Sequence, residues 1–159
     1  VAIEVGLLIA CVLFMKRVME TTEISVIRDE IDPGSGLDVA VHEEHLTVPR
    51  GVEVYEINGP YFFGIATKFE ELMAQLGDRP KVRVIRMRKV PFIDSTGIHN
   101  LTNLCVMSRR EKIEVVLSGV NDTVHAALQR SGFYELLGPD NICPNINAAL
   151  ERARRILGE

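Results

Sequence analysis

Cysteine is scarce in this chain: Cys11, Cys105 and Cys143 are odd in number and show no C-x-x-C spacing. That excludes a disulfide framework and a structural zinc site as its staples, and it suits a reducing compartment. Basic charge is not in surplus, with 18 Lys and Arg against 22 Asp and Glu and a formal net charge of -4. Phosphate-backbone affinity comes from an excess of Lys and Arg, so no nucleic-acid partner is expected. A G-x-x-x-x-G-K-[ST] phosphate loop and a G-x-S-x-G nucleophile elbow are both missing. His42-Glu43-Glu44-His45 has its histidines three apart rather than four, beside an expected strand on which they point to opposite sides. No metal, no cofactor and no catalytic residue are therefore expected, and the chain reads as no enzyme. There is also no internal repeat, low-complexity segment or charged tail.

What is present begins with an apolar run. Residues 1–15 carry one charge, Glu4, and Lys16-Arg17 come directly after. As a helix the run covers roughly 22 Å, short of the ~30 Å hydrocarbon core. It is read as the end of a transmembrane helix, residues 1–19, whose earlier part precedes Val1; a buried core helix is the alternative. A signal peptide fits poorly, because its basic residues precede the apolar stretch. Lys16, Arg17 and Arg28 put the domain downstream of the helix on the cytoplasmic side. Residues 20–37, with Asp29-Glu30-Asp32 and the breaker Pro33-Gly34-Ser35-Gly36, read as a linker, with a short strand at 24–27 as the alternative. Residues 38–159 have the hydrophobic content for one domain with its own core.

Within that domain, residues 44–48 and 52–58 read as a hairpin around Pro49-Arg50-Gly51. Phe62, Ala66, Phe69, Leu72, Met73 and Leu76 recur at helical spacing. Residues 82–87 form a strand interspersed with Arg83 and Arg86; with Lys81, Arg88 and Lys89 these cations read as protection of an exposed strand edge, or as an anion-attracting surface. A second helix buries Ile98, Leu101, Leu104, Cys105 and Ser108. Residues 113–117 are a near-continuous apolar strand covered on both faces. Asn121 or Asp122 caps a third helix that Gly132 stops. A fourth starts near Pro144 with Ile146, Ala149, Leu150, Ala153, Ile156 and Leu157 inside. Alternating strands and helices indicate an α/β fold with mainly parallel central strands, whose ligands tend to sit beyond the carboxyl ends of the strands.

One such end is Lys89-Val90-Pro91-Phe92-Ile93-Asp94-Ser95-Thr96-Gly97-Ile98. Helical N–H groups lack intrahelical partners there and the macrodipole favours negative charge. On chemistry alone Asp94 or Ser95 is the helix N-cap. Ser95 has no histidine at a telling spacing, and His99 reads as a solvated helix residue.

Pro91-Phe92-Ile93-Asp94-Ser95-Thr96-Gly97-Ile98 closely resembles the signature turn of the STAS domain, shared by SulP anion transporters and anti-sigma-factor antagonists. Gly59-Pro60-Tyr61-Phe62-Phe63, with Phe69 beyond it, resembles a second stretch of SulP STAS domains, and the likeness runs over residues 46–157. The very short link at Gly77-Asp78-Arg79-Pro80 resembles the bacterial type. The resemblance implies a small mixed, mainly parallel sheet with an antiparallel edge strand and about four packed helices. It further implies the cytoplasmic domain of a multi-pass secondary anion transporter of the inner membrane, for sulfate, bicarbonate or a dicarboxylate. Its partners would be the membrane domain of the same transporter, a cytoplasmic regulatory protein and a second copy through the transporter. In the antagonists the Ser directly after Asp in this turn is phosphorylated, so Asp94, Ser95, Thr96 and Gly97 form the candidate regulatory turn. Ile98, His99 and Leu101 form the candidate partner-binding helix start.

Overall fold

The computed structural model describes residues 1–20, 22–27, 30–31, 46–61, 71 and 79–158. The expected helix over residues 62–76, the His42–His45 motif and the Pro33–Gly36 breaker lie essentially outside them. In order come α1 (Ala2–Glu20), β1 (Glu23–Ile27), β2 (Glu30–Ile31), β3 (Leu46–Thr47), β4 (Val52–Asn58), β5 (Val82–Lys89), α2 (Ser95–Arg110), β6 (Glu114–Ser118), α3 (Asp122–Arg130), α4 (Phe133–Leu137), β7 (Ile142–Cys143) and α5 (Ile146–Leu157). The main sheet has the order β1-β4-β5-β6-β7. The last four strands pair in parallel and β1 lies antiparallel to β4, so the fold is α/β with one antiparallel edge, as expected.

The edge strand comes from a different segment than the hairpin reading supposed. β4 pairs with β1, Glu23 facing Asn58 and Ile27 facing Val54, while β3 pairs with β2 in a separate ribbon. Pro49-Arg50-Gly51 still turns tightly, with the Val52 N–H donating to the Pro49 carbonyl at 3.1 Å. The segment read as linker therefore contributes a strand to the sheet, because Ile24 and Val26 alternate on a face packed against the core.

Strand alternation divides the core in two. Tyr55, Ile57, Ile85, Met87, Val115 and Leu117 face α2, α3 and α4 through Leu101, Leu104, Val124, Leu128 and Phe133. Val52, Val54, Val82, Val84 and Val116 face α5 through Ile146, Ala149, Leu150 and Ala153. Each fully buried aliphatic side chain contributes about 1.5–3 kcal/mol. Cys105 is core filler at 6% exposure, and burial pushes its thiol up to about 12, against a smaller opposing pull from Arg109.

The cation-rich strand is central, not an edge. Arg83 and Arg86 are buried. Arg83 Nη1 donates to Ser108 Oγ at 2.8 Å, pinning α2 to the sheet. Glu56 Oε1 meets Arg86 at 3.4 Å, Arg88 at 3.1 Å and Lys89 at 3.7 Å. The cross-strand carboxylate, placed by the Glu56–Arg86 register, is what lets a middle strand carry these residues.

α5 begins after the cap Asn145, whose side chain accepts from the Ala148 N–H, so Pro144 precedes the cap instead of opening the helix. α1 stands apart, with Ile3, Leu7, Leu8, Val12, Leu13 and Phe14 exposed. Among the described residues no helix is long and apolar enough to cross a membrane.

Candidate functional site

β5 ends at Lys89, and the segment after it is clamped before α2 begins. Asn121, the N-cap of α3, accepts the Val124 N–H through Oδ1 at 2.9 Å and donates through Nδ2 to the Val90 carbonyl at 2.7 Å. An asparagine offers both a donor and an acceptor, which an aspartate cannot. On the other side the Tyr61 N–H donates to the Phe92 carbonyl at 3.1 Å, and Tyr61 bridges Ile93 in parallel register. These contacts fix the chain up to Ile93.

Asp94 then caps α2. Its backbone is extended at φ -97 and ψ 179, its Oδ1 accepts from the Gly97 N–H at 2.7 Å, and its carbonyl accepts from the Ile98 N–H at 2.9 Å. The cap is Asp94, with Ser95 the first helical residue. Gly97 is demanded by proximity: a Cβ there would run into the Tyr61 carbonyl oxygen and lie 2.9 Å from both Tyr61 Cδ1 and Ile93 Cγ1. Tyr61 itself is 1% exposed, and burial holds its phenol well above the usual tyrosine range.

The structure thus splits the predicted residues. Asp94, Ser95, Thr96 and His99 are exposed, Ile98 is half-buried, and Gly97 is buried. Leu101 is fully buried within the core, so it supports the helix start from inside and offers no surface to a partner. Phe92, 47% exposed, completes the outer face of the turn. His99 Nε2 lies 3.1 Å from Asn103 Nδ2, and Asp94 Oδ1 accepts from the Gly97 N–H. Sequence reasoning missed Tyr61 and Asn121 as parts of the site; the Gly59-Pro60-Tyr61 stretch and the polar residue opening α3 were the available signals. Among the described residues no group of three His, Cys, Asp or Glu could hold a metal ion.

An exposed hydroxyl pair thus sits on a capped helix start beyond the carboxyl ends of the parallel strands. The STAS domain family model matches residues 45–149. The chain belongs to the STAS domain family. It is 40% identical to a sulfate transporter family protein of Wolinella succinogenes of known crystal structure, with a TM-score of 0.67, covering 72% of this chain and 93% of that one. It is 34% identical to the SulP transporter STAS domain of Vibrio cholerae, with a TM-score of 0.63 and coverage of 70% and 88%. The putative sulfate transporter YvdB of Bacillus subtilis is 27% identical over 139 residues, 87% of this chain and 24% of that protein. The chain spans about a quarter of the length of the curated relatives it matches.

Proposed function

We propose that this chain is the cytoplasmic regulatory domain of a SulP-type secondary anion transporter, non-catalytic in itself, with α1 as the end of the last transmembrane helix. Sulfate, bicarbonate or a dicarboxylate is the transported class, and translocation belongs to the membrane domain. The observation that carries this reading is α1, a helix whose apolar side chains stay outside the core of a STAS fold. Such a surface requires a covering that the domain does not supply, and Lys16-Arg17 at its end suit the cytoplasmic membrane boundary. Regulation results if the domain contacts two transporter states unequally, since equal contact shifts nothing. Uptake of labelled sulfate, bicarbonate and succinate by the complete transporter, with and without residues 23–158, tests it. A changed rate at equal membrane abundance supports the regulatory role, and an unchanged rate for every anion removes it.

The exposure of Ser95 beside Asp94 favours a second reading, a phospho-regulated signalling module of the antagonist type. A phosphate there adds about -1.5 to -2 charge, drawn to the α2 dipole and repelled by Asp94. Mass spectrometry of protein from its own cells decides it, and absence of Ser95 phosphate across growth conditions removes it.

A further inference from the structure

α5 carries charge directly beside its apolar stripe. Ala148, Glu151, Arg152 and Arg155 recur at steps of three and four, so they share one flank of the helix. With Ile146, Ala149, Leu150 and Ala153 packed on the sheet, that flank overhangs β7, the last strand of the sheet, and the 3-10 turn Pro139–Asn141 before it. Asp140 from the turn, Cys143 from β7 and the four flank residues line an open cleft of about 380 Å3, within the roughly 300–1,000 Å3 of small-molecule sites. Arg152 is held in place there, its Nε donating to Asn141 Oδ1 at 2.9 Å. Asn141 is itself 6% exposed and donates through Nδ2 to the Leu137 carbonyl at 3.3 Å and to Glu114 Oε2 at 3.4 Å. Arg155 and Glu151 form an ion pair with each other. Asp140 lines the same cleft, yet among the described residues no ion pair joins it to either arginine.

We infer that this cleft binds a small zwitterion, Arg152 receiving its carboxylate and Asp140 its ammonium, which is the chemistry of a free α-amino acid. Two arginines face two carboxylates, so the lining has no formal charge in sum. That balance does not select for sulfate, phosphate or a dicarboxylate, whose charges are all of one sign. It suits a molecule with both signs, each end meeting its opposite. Arg152 is the carboxylate receptor because a guanidinium fixed through Nε still presents its terminal nitrogens as a planar fork. Asp140 is the ammonium acceptor because Glu151 is already engaged by Arg155. Ala148 and Cys143 keep the remaining wall small and weakly polar, which favours a short or sulfur-bearing side chain. The Cys143 thiol donates toward the Asp140 carbonyl at 4.0 Å, and burial pushes it above its ordinary pKa against a smaller opposing pull from Arg152. A thiol kept protonated is no nucleophile, so the binding is non-covalent. The cleft is distinct from the Asp94 turn, since α5 packs on the opposite face of the sheet from α2.

Isothermal titration of the purified chain in mild non-ionic detergent tests this with glycine, L-alanine, L-cysteine and L-methionine, each beside its N-acetyl form and its methyl ester. The expected result is saturable binding of at least one free amino acid, weakened about tenfold or more in either blocked form, because each block removes one of the two charges. Asp140→Asn and Arg152→Gln should each weaken the free amino acid by a similar factor. Arg154→Gln, exposed on the same helix but outside the cleft, should leave it unchanged. Melting temperatures of the variants separate lost binding from lost folding. Because Arg152 also supports Asn141, the exposed Asp140→Asn decides the matter if Arg152→Gln unfolds. No saturable binding up to about 10 mM, equal binding of a blocked form, equal loss in Arg154→Gln, or preference for sulfate or succinate over every amino acid overturns the proposal. The transporter reading stands apart from each of these outcomes, since it rests on α1 and not on this cleft.

Discussion

Replacing Gly97 with alanine sets two effects of opposite sign against each other. In a helix, Gly→Ala stabilises by up to about 1 kcal/mol, because glycine loses more backbone entropy on folding. Here the added Cβ would meet the Tyr61 carbonyl oxygen, with Tyr61 Cδ1 and Ile93 Cγ1 each at 2.9 Å. The first of these atoms is backbone, held by the adjacent Tyr61 N–H bond to Phe92 at 3.1 Å, and the residue is 1% exposed. It has little freedom to retreat. Overpacking of this kind costs about 1–3 kcal/mol, and with an unyielding neighbour the upper part of that range applies, leaving a net loss of about 2 kcal/mol. With a urea slope of about 2 kcal/mol/M, the midpoint should fall by about 1 M at unchanged slope. Circular dichroism of the purified chain in mild non-ionic detergent reads it directly. A midpoint equal to or above wild type would mean helix propensity alone governs position 97, and the account of the turn as pressed onto Tyr61 would be wrong.

Three further substitutions probe the supports of the site. Glu56→Ala removes the carboxylate shared by Arg86, Arg88 and Lys89 in a largely buried place, and should cost about 3 kcal/mol in urea unfolding; a loss under about 0.5 kcal/mol, the surface-substitution range, refutes the shared-acceptor reading. Asn121→Asp keeps the acceptor for Val124 but turns a carboxylate toward the buried Val90 carbonyl. It should lower stability by about 2 kcal/mol and the melting temperature by about 4–8 °C, although as a cap Asp is as good as Asn. An unchanged melting temperature would show that Asn121 acts as a cap only. Cys105 has its thiol raised by burial from 9.0 to about 12. Between those values the unfolded chain gives up a proton that the folded chain keeps, so the contribution is complete below the lower value and is lost as pH rises through the window. Cys105→Ala should therefore flatten the alkaline fall of the urea midpoint in that window, whatever its uniform offset; an unchanged slope sinks the assignment.

The strand-to-helix turn was legible because its chemistry is local. Asp94 sits three residues before the N–H it accepts, and the apolar spacing of α2 begins directly after it. The apolar run of β6 likewise announced a strand covered on both sides, and Val115, Val116 and Leu117 do divide between the two cores. Pairing partners were less legible. A turn signal at Pro49-Arg50-Gly51 argued for a hairpin, but the long-range fit of Ile24 and Val26 against the core placed β1 beside β4 instead. The arginines of β5 misled for a related reason, since an alternating charged strand reads as exposed until the cross-strand carboxylate and the helix hydroxyl that receive it are known.

The same distinction governs the site. Its exposed candidate residues were named from the motif, while the residues that hold the turn in place, Tyr61, Asn121 and Thr22, act through backbone groups of segments distant in sequence. None of those bonds leaves a periodicity or a spacing in the sequence. At Gly97 such a contact does leave a mark, because a backbone oxygen pressed against a helix admits no side chain and the position must be glycine. A glycine in the first turn of a helix, otherwise a weak choice, thus reports the strand-end loop that lies on it, and through Tyr61 and Thr22 it reports the root of α1 as well.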